Sequence, residues 1–307
     1  MVQEVRREIL EIIGAGLSSV DQRKIEYGEV PKSIVEAQNR AIANRIGLWS
    51  LHEEKKEEVV KPLIKAKAET ATIRLSEIRS GSHFYFHVVG DEAASVIDKS
   101  MKEFTAHNGT NGAPCDLKVG KVVAAAFDDG SGKSWYRAKI VERKARHVRV
   151  LFVDHGNIST VPIATHLRPL DPQLGLERIS AVAKEAILAI TKTRSLEEDE
   201  GVEAARFLQN FAWGRDVSAT IFCQNEGKLV VALFDAANKV TVNEQMISEG
   251  LARVFKASEI EGLRSKMVNS DALVNLASEM RSAEDIARRT HSGMWRYGDV
   301  GDDDEDL

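Results

Sequence analysis

Cysteine is nearly absent from this chain. The 307 residues include two, Cys115 and Cys223, and neither belongs to a Cys-x-x-Cys pair or a Cys/His cluster. A disulfide scaffold and a zinc site are therefore not expected, and a reducing compartment disfavours the one bridge the pair could form. Long apolar runs are missing too. Nothing approaches the ~20 residues a membrane helix needs, so no membrane association is expected. The opening MVQEVRREILEIIG is charged and amphipathic, without the apolar core or small-residue cleavage site of a signal peptide. The cytoplasm is the expected compartment, with the nucleus as the alternative. A strong positive charge is also lacking. The net charge of -5 argues against a chain that coats nucleic acid over its whole surface.

What is present is ordinary in amount and uneven in distribution. Hydrophobic residues make up 43% and charged residues 29%, as in a soluble protein, and the length suits roughly two domains. Much of the negative excess lies in Asp302-Asp303-Asp304-Glu305-Asp306, which reads as a solvated, disordered tail. Between Lys118 and Arg168, ten Lys/Arg stand against four Asp/Glu, enough for a local basic face or simply for solvated strand edges.

Two distant stretches read alike. Gly16-Leu17-Ser18-Ser19-Val20 matches Gly250-Leu251-Ala252-Arg253-Val254. Downstream, Ala37, Ala41, Gly47 and Trp49 match Ala283, Ala287, Gly293 and Trp295, with twelve extra residues between the anchors of the second copy. Each copy predicts a short helix ending near Gly-Leu, a variable loop, and a second helix closed by Gly-x-Trp. Alanines at i and i+4 share one helix face, glycine stops the helix, and the tryptophan is expected to bury its ring. The second copy follows a β-rich segment; the first does not. Residues 1–52 are therefore expected to be the helical end of a domain, joined by a charged linker over 53–70.

Strands are expected at Thr72–Ile78 and His83–Val89 around Ser80-Gly81-Ser82. Glu92–Phe104 reads as an amphipathic helix, with Ala93, Val96, Ile97, Met101 and Phe104 inward, and His107–Pro114 as a loop. Four short runs, Val122–Phe127, Trp135–Glu142, His147–Val153 and Asn157–Val161, suggest a small barrel that closes on itself. Residues 183–193 suit a strand or a helix, and the alternation in Glu185–Thr193 favours the strand. Ser195-Leu196-Glu197-Glu198 suggests a capping box opening a helix to about Phe211. Val217–Cys223 and Lys228–Phe234 form a hairpin around Asn225-Glu226-Gly227, and Val240–Val242 follows as a further short extended run.

The segment WYRAKIVERKARHVRVLFVDHGN resembles the Tudor signature, a Trp-Tyr-Arg-Ala strand followed by a strand ending in Asp-aromatic-Gly-Asn. VNEQMISEGLARV and the Gly-x-Trp helix resemble the closing half of staphylococcal-nuclease-like domains, and GMWRYGDVGDDDED resembles the end of Tudor–staphylococcal-nuclease proteins. The resemblance runs from about residue 8 to the end. It implies an α+β architecture: a small SH3-like Tudor barrel (115–172) inserted in an OB-type nuclease-like barrel split into 71–105 and 176–297, with helices packed on the outer barrel and a tail at 298–307.

Tudor barrels of this kind bind dimethylarginine, so the resemblance implies arginine-methylated protein tails as partners. A methylated guanidinium keeps its charge, loses donors, and stacks on aromatic faces. By resemblance the walls are Phe127, Tyr136, Phe152 and His155, with Asn157 as the polar group. His155 departs from the family, which usually carries a phenol there. A neutral imidazole can stack, whereas a protonated one repels the cationic ligand. Trp135, next to Tyr136, should face the other way and pack; Asp154 and Gly156 read as turn formers. Taken singly, an aromatic in a five-stranded barrel serves the core as readily as a ligand.

Two rival readings stand beside this one. Nuclease-like domains cleave with carboxylate-bound calcium, a general base and arginines, carried by an Arg before a run such as Asp-Thr-Pro-Glu. None of the six prolines here precedes Glu, and Ile73–Val89 holds Arg74, Glu77 and Arg79 without a matching acidic cluster. Asp235 reads as a turn. No catalytic set, metal or cofactor is expected, and any nuclease role would rest on other repeats of the family. RNA is the third possibility: Arg137, Lys139, Arg143, Lys144, Arg146 and Arg149 are candidates for salt-dependent phosphate contacts, although strand alternation divides them between faces.

Overall fold

In a computed structural model of the chain, the residues described are 2–15, 17–20, 24, 30–44, 46–47, 67–109, 111–128, 130, 132–234 and 240–298. Most of the proposed linker, the acidic tail, Trp49 and Asp235 lie outside them. The chain divides into two compact units, Met1–Ile64 and Lys65–Leu307.

In the first unit, helices α1 (Val2–Gly14) and α2 (Lys32–Ala43) form a small apolar core of Ile13, Ile34 and Ala37, with Leu10, Val20 and Val30 against it. The alanine pair behaves as its spacing predicts: Ala37 and Ala41 are both buried. Gln38 is buried beside them, and its Oε1 accepts the Val20 N–H at 2.7 Å.

The second unit is built on two main sheets and a small two-stranded one. Strands β1 (Glu69–Ile78) and β2 (His83–Val88) pair as a hairpin. Helix α3 (Glu92–Asn108) follows, opened by Asp91, whose side chain accepts the Ala93 N–H at 2.9 Å. It runs four residues beyond the expected Phe104, into the sequence read as a loop. Ile97 and Met101 are buried, but Val96 is 51% exposed and does not belong to the inward face.

The inserted sheet contains β3 (Val122–Asp128), β4 (Lys133–Arg143), β5 (His147–Phe152), β6 (Ile158–Pro162) and β7 (Leu167–Arg168), with the one-turn helix α4 (Ile163–His166) before β7. Its order is β6-β5-β4-β3-β7. The sheet has five strands, one more than the four short runs read from the sequence; β6 and β7 are its edges, and among the described residues no strand pairing closes it. It wraps a core of Val123, Ala125, Ala138, Ile140, Val148, Val150, Phe152, Val161 and Leu167.

The chain then returns through β8 (Lys184–Leu188) and β9 (Thr191–Thr193), helix α5 (Asp199–Ala212), and the hairpin β10 (Val217–Asn225) and β11 (Lys228–Phe234). Glu226 and Gly227, both with positive φ, make its two-residue turn. Strands β1-β10-β11-β8-β2 close into a barrel, with β8 and β11 parallel. The strand reading of 183–193 holds, split into two. The capping box does not. Ser195 Oγ accepts the Glu197 N–H, and α5 begins at Asp199 with Glu198 as its cap residue, making no side-chain cap bond.

Helices α6 (Val242–Ser248), α7 (Ala257–Arg264) and α8 (Asp271–Arg289) complete the unit, with β12 (Ala252–Val254) pairing β9. Val242 opens α6, capped by Thr241, rather than ending a strand. The repeat motif has a physical basis here. Gly250 and Gly293, both with positive φ, lie back to back: a Cβ on Gly250 would sit 2.2 Å from Ser292 O, and one on Gly293 would sit 2.4 Å from Gly250 O. The Met294 N–H donates to Gly250 O at 3.0 Å, and Trp295 is buried, 1% exposed, under the Arg288 guanidinium.

Candidate functional site

Strand register brings the aromatic candidates to one face. Ala125 opposes Tyr136, Phe127 opposes Ser134, and Ala138 opposes Phe152, so Phe127, Tyr136 and Phe152 share the side of the sheet that faces its core. Trp135 and Arg137 take the opposite side. Trp135 is 1% exposed and packs with Ile97 and Met101 of α3, its Nε1–H donating to Gly109 O at 2.6 Å, which is the packing role expected of it.

The rings form a connected chain. Phe127 meets Phe152 edge-on at 5.5 Å between centroids, Tyr136 meets Phe152 at 6.1 Å, and Tyr136 meets His155 at 5.3 Å. These spacings and near-perpendicular planes suit edge-to-face aromatic contact. Phe152 is the floor, 1% exposed; Phe127 and Tyr136 are half-buried; His155 is exposed at the lip. A tight turn delivers the last two residues: the His155 and Gly156 N–H groups both donate to Phe152 O, and Phe152 N–H donates to Asn157 O at 2.9 Å. Asn157 is half-buried, and among the described residues its side-chain amide makes no hydrogen bond.

The turn is held from beneath by Arg137, a residue assigned above to phosphate contacts. That assignment is wrong. Arg137 is fully buried, and its guanidinium donates from Nε to Asp154 Oδ2 (2.8 Å), from Nη2 to Asp154 Oδ1 (2.5 Å) and Ser180 O (3.0 Å), and from Nη1 to Leu174 O (3.0 Å) and Ile179 O (2.6 Å). All five donors are consumed. Asp154 is likewise more than a turn former: it is buried, and its Oδ1 also accepts the Val182 N–H. The other basic candidates, Lys139, Arg143, Lys144, Arg146 and Arg149, are exposed around the β4–β5 hairpin, with Glu142 lying 3.5 Å from Lys144 and 3.4 Å from Arg149.

The nuclease-like barrel supplies neighbours that no local pattern marks. His87 of β2 reaches the turn, its Nε2 2.6 Å from Asp154 O, and its ring lies 6.2 Å from that of His155. Tyr85 packs against Gly156 so closely that a Cβ there would lie 2.2 Å from the Tyr85 ring. Burial pushes the Tyr85 phenol up to about 12, helped by the Glu185 carboxylate. Between α3, β4 and the turn lies a cleft of about 550 Å³, with Asp98, Lys102, Tyr136, His155 and His87 on its walls.

His155 titrates below the ordinary histidine range. Burial of the ring is the main cause, His87 adds to it, and the Asp154 and Asp98 carboxylates oppose it. The residue as a whole is exposed, so the effect belongs to a ring pressed against its neighbours rather than to an enclosed core position. The consequence is a neutral imidazole at neutral pH, able to stack. Of Arg74, Glu77 and Arg79, Arg74 pairs with Asp216 at 2.7 Å on the surface, and burial raises the pKa of the Glu77 carboxyl.

Comparison with known proteins agrees with this geometry. The Tudor domain model matches residues 65–190, taking in the first barrel hairpin and α3 as well as the inserted sheet. The chain is 30% identical to Ribonuclease TUDOR 1 of Arabidopsis thaliana over 78% of its length and 25% of that protein. It is 27% identical to Staphylococcal nuclease domain-containing protein 1 of Drosophila melanogaster over 95% of its length and 31% of that protein. It thus spans a quarter to a third of these relatives. Among solved structures, the extended Tudor domain of Drosophila melanogaster Tudor-SN superposes with a TM-score of 0.61 at 23% identity, over 75% of this chain and all of that one. Extended Tudor domain TD3 of mouse TDRD1, solved with a MILI peptide containing dimethylarginine, superposes with a TM-score of 0.53 at 23% identity, over 61% of this chain and 94% of that one. A Tudor sheet carried by a second, closed barrel, together with these relatives, identifies the chain as one that carries a Tudor domain and is homologous to Tudor–staphylococcal-nuclease proteins.

Proposed function

We infer that the chain reads dimethylarginine in protein tails, with Phe127, Tyr136, Phe152 and His155 as aromatic surfaces and Asn157 as the hydrogen-bonding group. The observation that carries this reading is the continuous series of ring contacts, 5.3 to 6.1 Å apart, ending at His155, two residues before Asn157 in the same turn. A delocalised cation with few donors needs those two things, ring faces and one acceptor. Extended Tudor domains with this fold have been solved with dimethylarginine peptides, which supports the same ligand class here. The deciding experiment is calorimetric titration with a symmetric-dimethylarginine peptide and its unmethylated twin. Preference for the methylated peptide, lost in Tyr136→Ala, is the expected result. Equal or absent binding of both overturns the reading.

A second role, RNA association, is favoured by the exposed cations Lys139, Arg143, Lys144, Arg146 and Arg149 at one hairpin. The two roles together fit a regulatory ribonucleoprotein scaffold acting in RNA silencing, transcript stability, transcriptional coactivation or splicing, in the cytoplasm or nucleus. In this proposal the chain binds and does not cut, so its ligand binding is indifferent to a calcium chelator.

A further inference from the structure

The closed barrel sends two outward side chains to the turn that carries His155 and Asn157. Tyr85 and His87 stand two apart on β2 and so project from one face, while Phe84 and Phe86, which alternate with them, are buried in the barrel core. The Tyr85 ring backs Gly156, whose φ of 95° and lack of a Cβ let the turn lie against it. His87 Nε2 lies 2.6 Å from Asp154 O. A carbonyl oxygen only accepts, so the imidazole carries its proton on Nε2 and donates it there. The Asp154 carboxylate is meanwhile gripped by Arg137 and by the Val182 N–H. The residue before His155 is thus fixed at both its side chain and its carbonyl, and the residue after it is fixed by close packing.

His155 itself is exposed, and ring contacts place it. Tyr136 meets it from the inserted sheet at 5.3 Å between centroids, with the planes at 82°. His87 meets it from the barrel at 6.2 Å, with the planes at 65°. The charged groups around the two imidazoles are Asp98 and Lys102 of α3, Asp154 and Arg137, and Arg74, which stands opposite His87 on β1. Each has a counter-ion: Lys102 meets Asp98, Arg137 meets Asp154, and Arg74 meets Asp216. An exposed side chain that serves as a binding wall gives up rotamer freedom when the ligand arrives. A ring already held between two others has given it up beforehand.

We propose that His87 is a positioning residue of the dimethylarginine site: it fixes the turn through Asp154 O and braces the His155 ring for stacking, without touching the ligand. The inference rests on the methylarginine reading above. It has two consequences that direct contact with the ligand would not have. The effect of His87 passes through His155, so substitutions at the two positions are not additive. The donor also matters apart from the ring. Glutamine, whose side-chain N–H can stand where Nε2 stands, restores the hold on the turn, whereas phenylalanine keeps a ring and leaves Asp154 O without its donor.

The test is a double-mutant cycle on the full chain, read by calorimetric titration with the symmetric-dimethylarginine peptide and its unmethylated twin, with thermal unfolding as the control for folding. His87→Ala should weaken methylated-peptide binding about three- to tenfold, the scale of ordering one side chain. His87→Gln should recover most of that loss and His87→Phe little of it. In a His155→Ala background, His87→Ala should cost less than about twofold more. Nitrogen-edited NMR of the imidazoles gives a readout that needs no ligand. His87 should show its proton on Nε2. His87→Ala should shift the His155 ring signals and move the His155 titration up toward the ordinary histidine value, because His87 is one of the groups that hold it down. Equal binding of the two peptides by the parent overturns the methylarginine reading, and this role with it. A parent that prefers the methylated peptide but shows additive losses in the cycle, or His155 signals unchanged in His87→Ala, overturns the positioning role alone.

Discussion

At the scale of single residues, the site joins two kinds of chemistry. Tyr136 faces solvent-accessible space with its ring against His155, whereas its neighbour Arg137 is sealed beneath and fully bonded. Tyr136→Ala removes one stacking face and should weaken dimethylarginine-peptide binding about tenfold while the melting temperature stays close to that of the parent, read by calorimetry and thermal unfolding. Arg137→Ala should do the reverse. It leaves Asp154 charged, buried and without its main partner, so we expect a loss of about 3–5 kcal/mol in chemical denaturation. His155 sets the pH response. Its lowered pKa means the folded state binds fewer protons than the unfolded state below the ordinary histidine value of 6.5. Any stability it contributes is therefore complete above that value and is lost as pH falls through it toward the folded pKa. Ligand affinity should be flat near neutrality and decline only in more acidic solution, as the imidazolium forms. His155→Tyr should abolish that decline, and a titration series in pH checks it.

At the scale of elements, turns and helix junctions do most of the positioning. The Gly250–Gly293 contact joins the end of α6 to the segment after α8, and both glycines have positive φ with backbone where a Cβ would sit. Gly250→Ala should cost more than the ~1 kcal/mol of an ordinary glycine substitution, because the strain of the conformation adds to the clash. Asn243 at the start of α6 is a comparable clamp. Its replacement by alanine leaves the Leu233 N–H without its side-chain acceptor in the core, at about 1–3 kcal/mol, while the Ala189 carbonyl keeps the Thr191 hydroxyl as a donor. Equilibrium urea unfolding of both variants measures these costs, and a change below the error of the method would remove Asn243 from its assigned role.

At the scale of the whole molecule, the second unit has two main sheets held together by buried contacts. Helix α3 packs Ile97 and Met101 against Ala124, Ala126 and Trp135, the Arg137–Asp154 pair ties the inserted sheet to residues 174–182, and Tyr85 and His87 reach from the barrel to the turn. Hydrogen exchange under mild denaturant should show β3–β5 and the closed barrel losing protection together. Separate opening of the inserted sheet would show that the straps are weak.

What the residue order by itself determined was the local part of this account. Period-two alternation marked most strands, the paired Gly-Leu and Gly-x-Trp motifs marked the repeated helices, and alternation along β4 separated Trp135 from Tyr136. Those features are legible because a strand or helix imposes its period on neighbours in sequence. The capping box at Ser195 failed because a short local signal competed with the packing that starts α5 at Asp199. Val96 fell at helical spacing but on a face that nothing covers. The burial of Arg137, the reach of His87 to Asp154 across 67 residues, and the open ends of the inserted sheet were decided by tertiary structure. Each depends on which distant segments meet, and a charge or an aromatic ring carries no mark of its future partner until the chain has closed around it.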